Sequence, residues 1–164
     1  MIDFVKIVSE DLIETKYITV LRHPVERVWS YYNMIRKKDH FAWGKYTNSL
    51  DDFLTNCWEV NNMMIQYLVC KPRQQILSLA DLEAAKLVLS KFYSVMDMNN
   101  LNDDWEKLKH KMNEDFKIEL NSLPYMNKAP QYRPPTEDQV RKIEAHNQWD
   151  LKLYESLSYS NLQL

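Results

Sequence analysis

Glycine is nearly absent from this sequence, since Gly44 is the only one among 164 residues. Loops that wrap the phosphates of a nucleotide usually contain several glycines, because their backbone must approach the phosphate closely and turn sharply. No glycine-rich phosphate loop can be built around Gly44 alone. A phosphate site in this chain must therefore depend on side chains and helix ends.

Cysteine and histidine are also scarce, with two cysteines and four histidines in the chain. The apolar periodicity predicts that Cys57 and Cys70 share one helix, where their positions would be separated by about 20 Å, too far for a disulfide. The histidines are isolated from one another in sequence, so no spacing is typical of a zinc site. We expect no bound metal.

The chain lacks an excess of one charge and a long apolar run. Lysine and arginine number 21 against 23 acids, a net charge of −2 with both signs scattered. This balance gives no reason to expect nucleic acid as a partner. No apolar run of about 18 residues is present, and the first residues carry acids where a signal peptide is basic. We expect a single globular domain over 1–164 without a membrane segment.

Local patterns predict an α/β fold, mostly helical with a small parallel sheet. Two runs of β-branched and aromatic residues, at 16–21 and 92–98, are typical of buried strands. We expect three layers, with two or three strands and about five helices. The apolar spacing predicts these helices after Pro24, over 50–69, around 82–89, over 103–112, and from a capping box at Thr136 and Gln139 through Tyr154.

The sharpest feature is a strand, a turn and a helix over 17–32, which read YITVLRHPVERVWSYY. Arg22 ends the strand, at the position where open α/β sheets bind ligands. Its guanidinium, the N–H groups of the following helix and the Ser30 hydroxyl would together form a phosphate clamp. Alternatively, Arg22 pairs with an acid such as Glu26, and Ser30 is a solvated helix residue. Arg27 is interpreted as a salt-bridge partner within the fold.

The pattern R-x-P-V-x-R-x-x-S-x-Y that starts at Arg22 resembles the 3′-phosphate motif of Golgi carbohydrate sulfotransferases. In that family the first arginine and the serine bind the 3′-phosphate of the donor 3′-phosphoadenosine 5′-phosphosulfate, and these match Arg22 and Ser30. Further segments resemble, in order, the C-terminal half of heparan sulfate 6-O-sulfotransferases. They read SLDDF, VNNMMIQYL, LEAAKLVLSKFYSVMDM and EDQVRKIEAHNQWDLKLYESL.

The resemblance implies an incomplete P-loop-type sulfotransferase fold and transfer of a sulfuryl group to a carbohydrate hydroxyl. It also implies a membrane-anchored protein of the Golgi lumen, with a sulfatable glycan as acceptor. Two departures stand out: Gln66 replaces an arginine of the family, and the phosphosulfate loop and catalytic base would lie upstream of Lys16. The chain therefore matches the C-terminal portion of a sulfotransferase domain, for which we expect no activity alone. The alternative is a catalytically inactive fragment, or a nucleotide-binding or interaction module.

A proline-rich stretch over 123–135 carries Lys128 and Arg133 between tyrosines. This combination could close over the adenine and a phosphate of the donor or face a sulfated sugar chain, and the alternative is an ordinary solvated loop. An incomplete sheet would also leave a strand edge without its partner. We therefore expect self-association through that edge.

Four polar residues lie in the two longest helical patterns. Asn61 and Asn62 are candidates for ligand contact by the resemblance, but are otherwise polar residues of a helix surface. Asn147 and Asp150 fall on the apolar face of the last helix. Since burying unpaired polar groups is costly, we expect these last two to bond to neighbouring backbone or side chains.

Overall fold

The computed structural model of the protein describes residues 15–37, 49–57, 60–72, 75–123 and 132–159. Two short strands pair in parallel, β1 at Ile18–Leu21 and β2 at Ser94–Asp97. The helices of the described residues are α1 Pro24–Ile35, α2 Leu50–Asn56, α3 Met63–Leu68, α4 Leu79–Leu89, α5 Leu101–Phe116, α6 Glu137–His146 and α7 Gln148–Tyr159. A mostly helical chain with a small parallel sheet confirms the predicted α/β class.

The sheet lies between two helical layers, because side chains alternate across a strand. On one face Ile18 and Met96 pack with residues of α5, such as Leu108. On the other face Leu21 and Val95 pack against α3, α4 and α7. Both strands are therefore covered on both faces. The expected self-association through a sheet edge stays a prediction.

A second apolar cluster joins α1 to α2 and α6. Val28 and Ile35 of α1 contact Phe53 of α2 and Ile143 of α6, and all four are fully buried. Pro24 fits the first turn of α1, where a missing N–H costs nothing. This packing fixes the direction in which α1 leaves the sheet.

The helix predicted over 50–69 is wrong, because two shorter helices, α2 and α3, take its place. Asn62 adopts the left-handed backbone conformation, with φ of 51°, directly before α3. Asparagine tolerates this conformation better than most residues. The first helix has already ended at Asn56, since Cys57 leaves the helical conformation with ψ of 84°. Cys57 and Cys70 consequently do not share a helix, although both are free cysteines.

The last helix is also two helices, α6 and α7, which meet at Asn147. The predicted capping box is present: Thr136 Oγ1 accepts from Gln139 N at 3.4 Å, and Gln139 Oε1 accepts from Thr136 N at 2.9 Å. At the junction, Asn147 Nδ2 donates to the carbonyl of Ile143 at 3.0 Å. This bond satisfies a terminal carbonyl of α6, so the polar residue ends one helix and precedes the next.

Among the residues that the structure describes, no helix has the length and apolar character needed to cross a membrane. His, Cys, Asp and Glu side chains do not gather there into a group of three that could hold a metal ion.

Candidate phosphate site

The carboxyl ends of both strands meet the start of α1 at one edge of the sheet. Leu21 lies opposite Asp97 in the parallel register, and Arg22 is the next residue after Leu21. Adjacent strands are about 4.8 Å apart, so Leu21 and Asp97 end their strands side by side, and Arg22 follows Leu21 directly. Parallel sheets bind ligands at this edge. It is the place at which the sequence predicted a site.

Arg22 lies near the surface and pairs with an acid. Its Nε is 3.6 Å from Glu26 Oε2, and the two side chains are 38% and 45% exposed. Pairs this exposed contribute about 0–1 kcal/mol, so a phosphate can compete for the guanidinium. The arginine thus makes the contact with Glu26 that the alternative interpretation predicted, and its side chain stays partly exposed although its Nε atom is buried.

The first turn of α1 adds N–H groups to this edge. Its N-cap residue, His23, makes no side-chain capping bond, and Pro24 has no N–H. Arg27 N donates to His23 O at 2.9 Å, which is the first bond of the helix. The N–H groups of Val25 and Glu26 therefore have no partner within the helix. Such groups attract anions.

Ser30 is half-buried on α1, roughly 9 Å along the helix axis from Pro24. It lies four positions after Glu26, so their side chains are neighbours on one helix face. Arg22, Glu26 and Ser30 therefore follow one line from the sheet edge along α1. The structure brings Arg22 close to the start of the helix and places Ser30 one turn beyond Glu26.

A tyrosine from α7 completes the edge, and sequence reasoning missed its role. Tyr154 Oη donates to Asp97 Oδ1 at 2.8 Å, and the His23 ring packs edge-on against the Tyr154 ring, with centroids 5.2 Å apart. Burial first, then the bond to Asp97 and the charges of Asp97 and Glu26, raise the pKa of Tyr154. The phenol is thus a neutral donor. No local pattern links Asp97 to a residue 57 positions away.

Of the two cations predicted in the proline-rich stretch, the structure describes only Arg133. Lys128 lies outside the described residues. Arg133 has an exposed side chain, and its carbonyl accepts from Trp29 Nε1 at 2.9 Å. Trp29 precedes Ser30, so the end of the stretch contacts α1 through its backbone. Contact of either cation with a ligand stays a prediction.

A buried polar cluster anchors α1 one turn beyond the sheet edge. Arg27 Nη2 donates to Val60 O at 2.9 Å, Asn147 Oδ1 at 3.2 Å and Asp150 Oδ2 at 3.3 Å. The Arg27 side chain is 12% exposed and that of Asp150 is fully buried. The interpretation of Arg27 as a salt-bridge partner of the fold is confirmed.

Within this cluster α3 and α7 cap each other. Asp150 accepts from the backbone N–H groups of Met64 and Ile65, both at 3.0 Å, at the start of α3. Asn62 Oδ1 accepts from Trp149 N at 2.9 Å and Asp150 N at 3.1 Å, at the start of α7. Burial raises the pKa of the Asp150 carboxyl, while Arg27 and the two α3 donors oppose the shift.

Each of the four polar residues named from the sequence has a partner within the fold. Asn62 also donates from its backbone N–H to Asn147 Oδ1, at 3.0 Å, and Asn61 Nδ2 donates to Leu54 O at 2.8 Å. The expectation that Asn147 and Asp150 bond to their neighbours is confirmed. The amide groups of Asn61 and Asn62 serve contacts between helices in this structure.

An open groove of about 580 Å³ runs along α6 and α7. Its lining includes His23 at one side and the charged residues Arg141, Glu144 and Lys152.

Comparisons with models of protein families, with curated proteins and with solved structures found no match for the chain. The interpretation of the site therefore rests on its residues and on the resemblance of its sequence motif.

Proposed function

We propose that the edge formed by Arg22 and the start of α1 binds the 3′-phosphate of 3′-phosphoadenosine 5′-phosphosulfate. The chain would act as part of a P-loop-type sulfotransferase that transfers the sulfuryl group to a hydroxyl of a sulfatable glycan. One observation carries the proposal: Arg22 ends a parallel strand directly before a helix whose N-cap makes no side-chain bond. A cation and open N–H groups there are the chemistry that a phosphate requires.

Each residue of the proposed site makes a different contact with the nucleotide. Arg22 exchanges its exposed contact with Glu26 for two parallel hydrogen bonds to phosphate oxygens. The N–H groups of Val25 and Glu26 direct their partial positive charge at the same anion. Ser30 supports the phosphate from the helix face, and the groove beside His23 offers room for the rest of the nucleotide.

The alternative is an interaction module or inactive remnant that binds no nucleotide. The observed contact between Arg22 and Glu26 favours it, since a paired arginine needs no ligand. The two functions differ in one property, which is affinity for the 3′-phosphate. For the donor-binding chain this affinity exists without an acceptor and without turnover, so it can be measured directly.

Calorimetric titration with 3′-phosphoadenosine 5′-phosphate tests the proposal. We expect micromolar binding by the unaltered protein and a loss of about ten- to a hundredfold in Arg22→Ala, because a hydrogen bond to a charged group contributes about 1.5–3 kcal/mol. Ser30→Ala should weaken binding less, by about three- to tenfold, since it removes one neutral donor. Arg36→Ala is the matched control, because Arg36 is exposed at the other end of α1.

Equal weakening by Arg22→Ala and Arg36→Ala would show that general positive charge, not the sheet edge, attracts the ligand. A folded protein that does not bind the bisphosphate would contradict donor binding and favour the interaction module. Circular dichroism and thermal melting of each variant establish that it is folded.

A further inference from the structure

Asp97 is the acid that shares the sheet edge with Arg22. It ends β2 opposite Leu21, so its side chain leaves the sheet one strand away from the proposed phosphate position. Two contacts connect them in space: the ring of His23, the residue after Arg22, packs against the Tyr154 ring, and the Tyr154 hydroxyl bonds to Asp97. Arg22 and Asp97 therefore belong to the same edge of the sheet.

The Asp97 carboxylate is held in one orientation. Its Oδ1 accepts from Tyr154 Oη at 2.8 Å and from Asn99 N at 3.1 Å. Within the described residues both of its bonds go to Oδ1. Oδ2 is therefore left to accept from a ligand, while the Tyr154 phenol keeps the group from rotating.

We infer that Asp97 makes the site selective for a ribose phosphate with a free hydroxyl on the adjacent ring carbon. With the phosphate on Arg22, the neighbouring hydroxyl donates to Asp97 Oδ2, which is one strand away. A carboxylate beside this ring carbon accepts a hydrogen bond from a hydroxyl and repels a second phosphate on the same carbon. The inference rests on the proposed phosphate site and extends it from the phosphate to the sugar.

Two ligands that differ only in this hydroxyl test the inference: adenosine 3′,5′-bisphosphate and its 2′-deoxy analogue. We expect the unaltered protein to bind the ribose form at least about tenfold more tightly, since the hydroxyl bonds to a charged acceptor. Asp97→Ala should bind the two forms equally. Asp103→Ala, which removes an exposed acid from the first turn of α5, should keep the preference.

The outcomes separate this inference from the proposed function. Equal binding of both ligands by the unaltered protein overturns the role of Asp97 and leaves the phosphate site intact. Persistence of the preference in Asp97→Ala overturns it as well. Binding of neither ligand overturns both proposals. The comparison on the unaltered protein requires no variant, so it can overturn the inference even if Asp97→Ala fails to fold.

Discussion

Asp150→Ala should lower the free energy of unfolding by about 3–5 kcal/mol, the largest effect we expect from a single substitution in this chain. The carboxylate is fully buried, pairs with Arg27 at 3.3 Å and accepts from two backbone N–H groups of α3. Its removal leaves a buried guanidinium without its counter-charge and the start of α3 without its cap. Denaturant unfolding measures the loss.

The control is Asp138→Ala, because Asp138 is an exposed acid in surface pairs with Arg141 and Lys142. Surface pairs contribute little, so this variant should lose at most about 1 kcal/mol. The double variant Arg27→Met with Asp150→Leu should lose less than Asp150→Ala, since it removes both charges together. Equal losses in Asp150→Ala and Asp138→Ala would contradict the role given to the buried cluster.

Asn62→Ala should be the second most damaging change, at about 2–3 kcal/mol. The alanine removes the oxygen that accepts from Trp149 N and Asp150 N, and loss of a cap usually costs about 1 kcal/mol. Alanine also lacks the polar side chain that lets asparagine tolerate the left-handed conformation, which costs roughly 1–2 kcal/mol more. Thermal or denaturant unfolding measures the combined loss in the free energy of unfolding.

Two substitutions at Asn62 separate the capping from the backbone contribution. Asn62→Gly keeps the left-handed conformation at no steric cost and loses only the side-chain bonds, so it should be less damaging than alanine. Asn62→Asp keeps an acceptor for the N–H groups of α7 but loses the donor that Asn62 Nδ2 gives to His146 O at 3.0 Å, so it should also be destabilising. If glycine were as damaging as alanine, backbone conformation would contribute nothing, contrary to this account.

Periodicity and turn chemistry predicted the elements of the fold well where the determinants are local. The strand before Arg22, the helix that begins at Pro24, and the capping box at Thr136 all depend on neighbours within a few residues. The small parallel sheet was also predicted, because two apolar β-branched runs with helices between them are joined by a crossover, which makes the strands parallel.

The two helix breaks could not be predicted, because many of the bonds that fix them reach far along the sequence. Asn62, directly before α3, bonds to residues 87 and 88 positions later, and Asn147 bonds to Asn62 as well as to Ile143. An apolar spacing cannot show such partners. The bond between Asp97 and Tyr154 escaped prediction for the same reason, so the site was anticipated only on its Arg22 side.

The most direct test of the central claim is the affinity of Glu26→Gln for 3′-phosphoadenosine 5′-phosphate. Glutamine removes the charge that holds Arg22 and repels an incoming phosphate, yet it preserves the size of the side chain and its place in α1. If Arg22 anchors the phosphate, this variant should bind about two- to tenfold more tightly than the unaltered protein. Unchanged or weaker binding in a folded Glu26→Gln protein would contradict a phosphate site at this edge of the sheet.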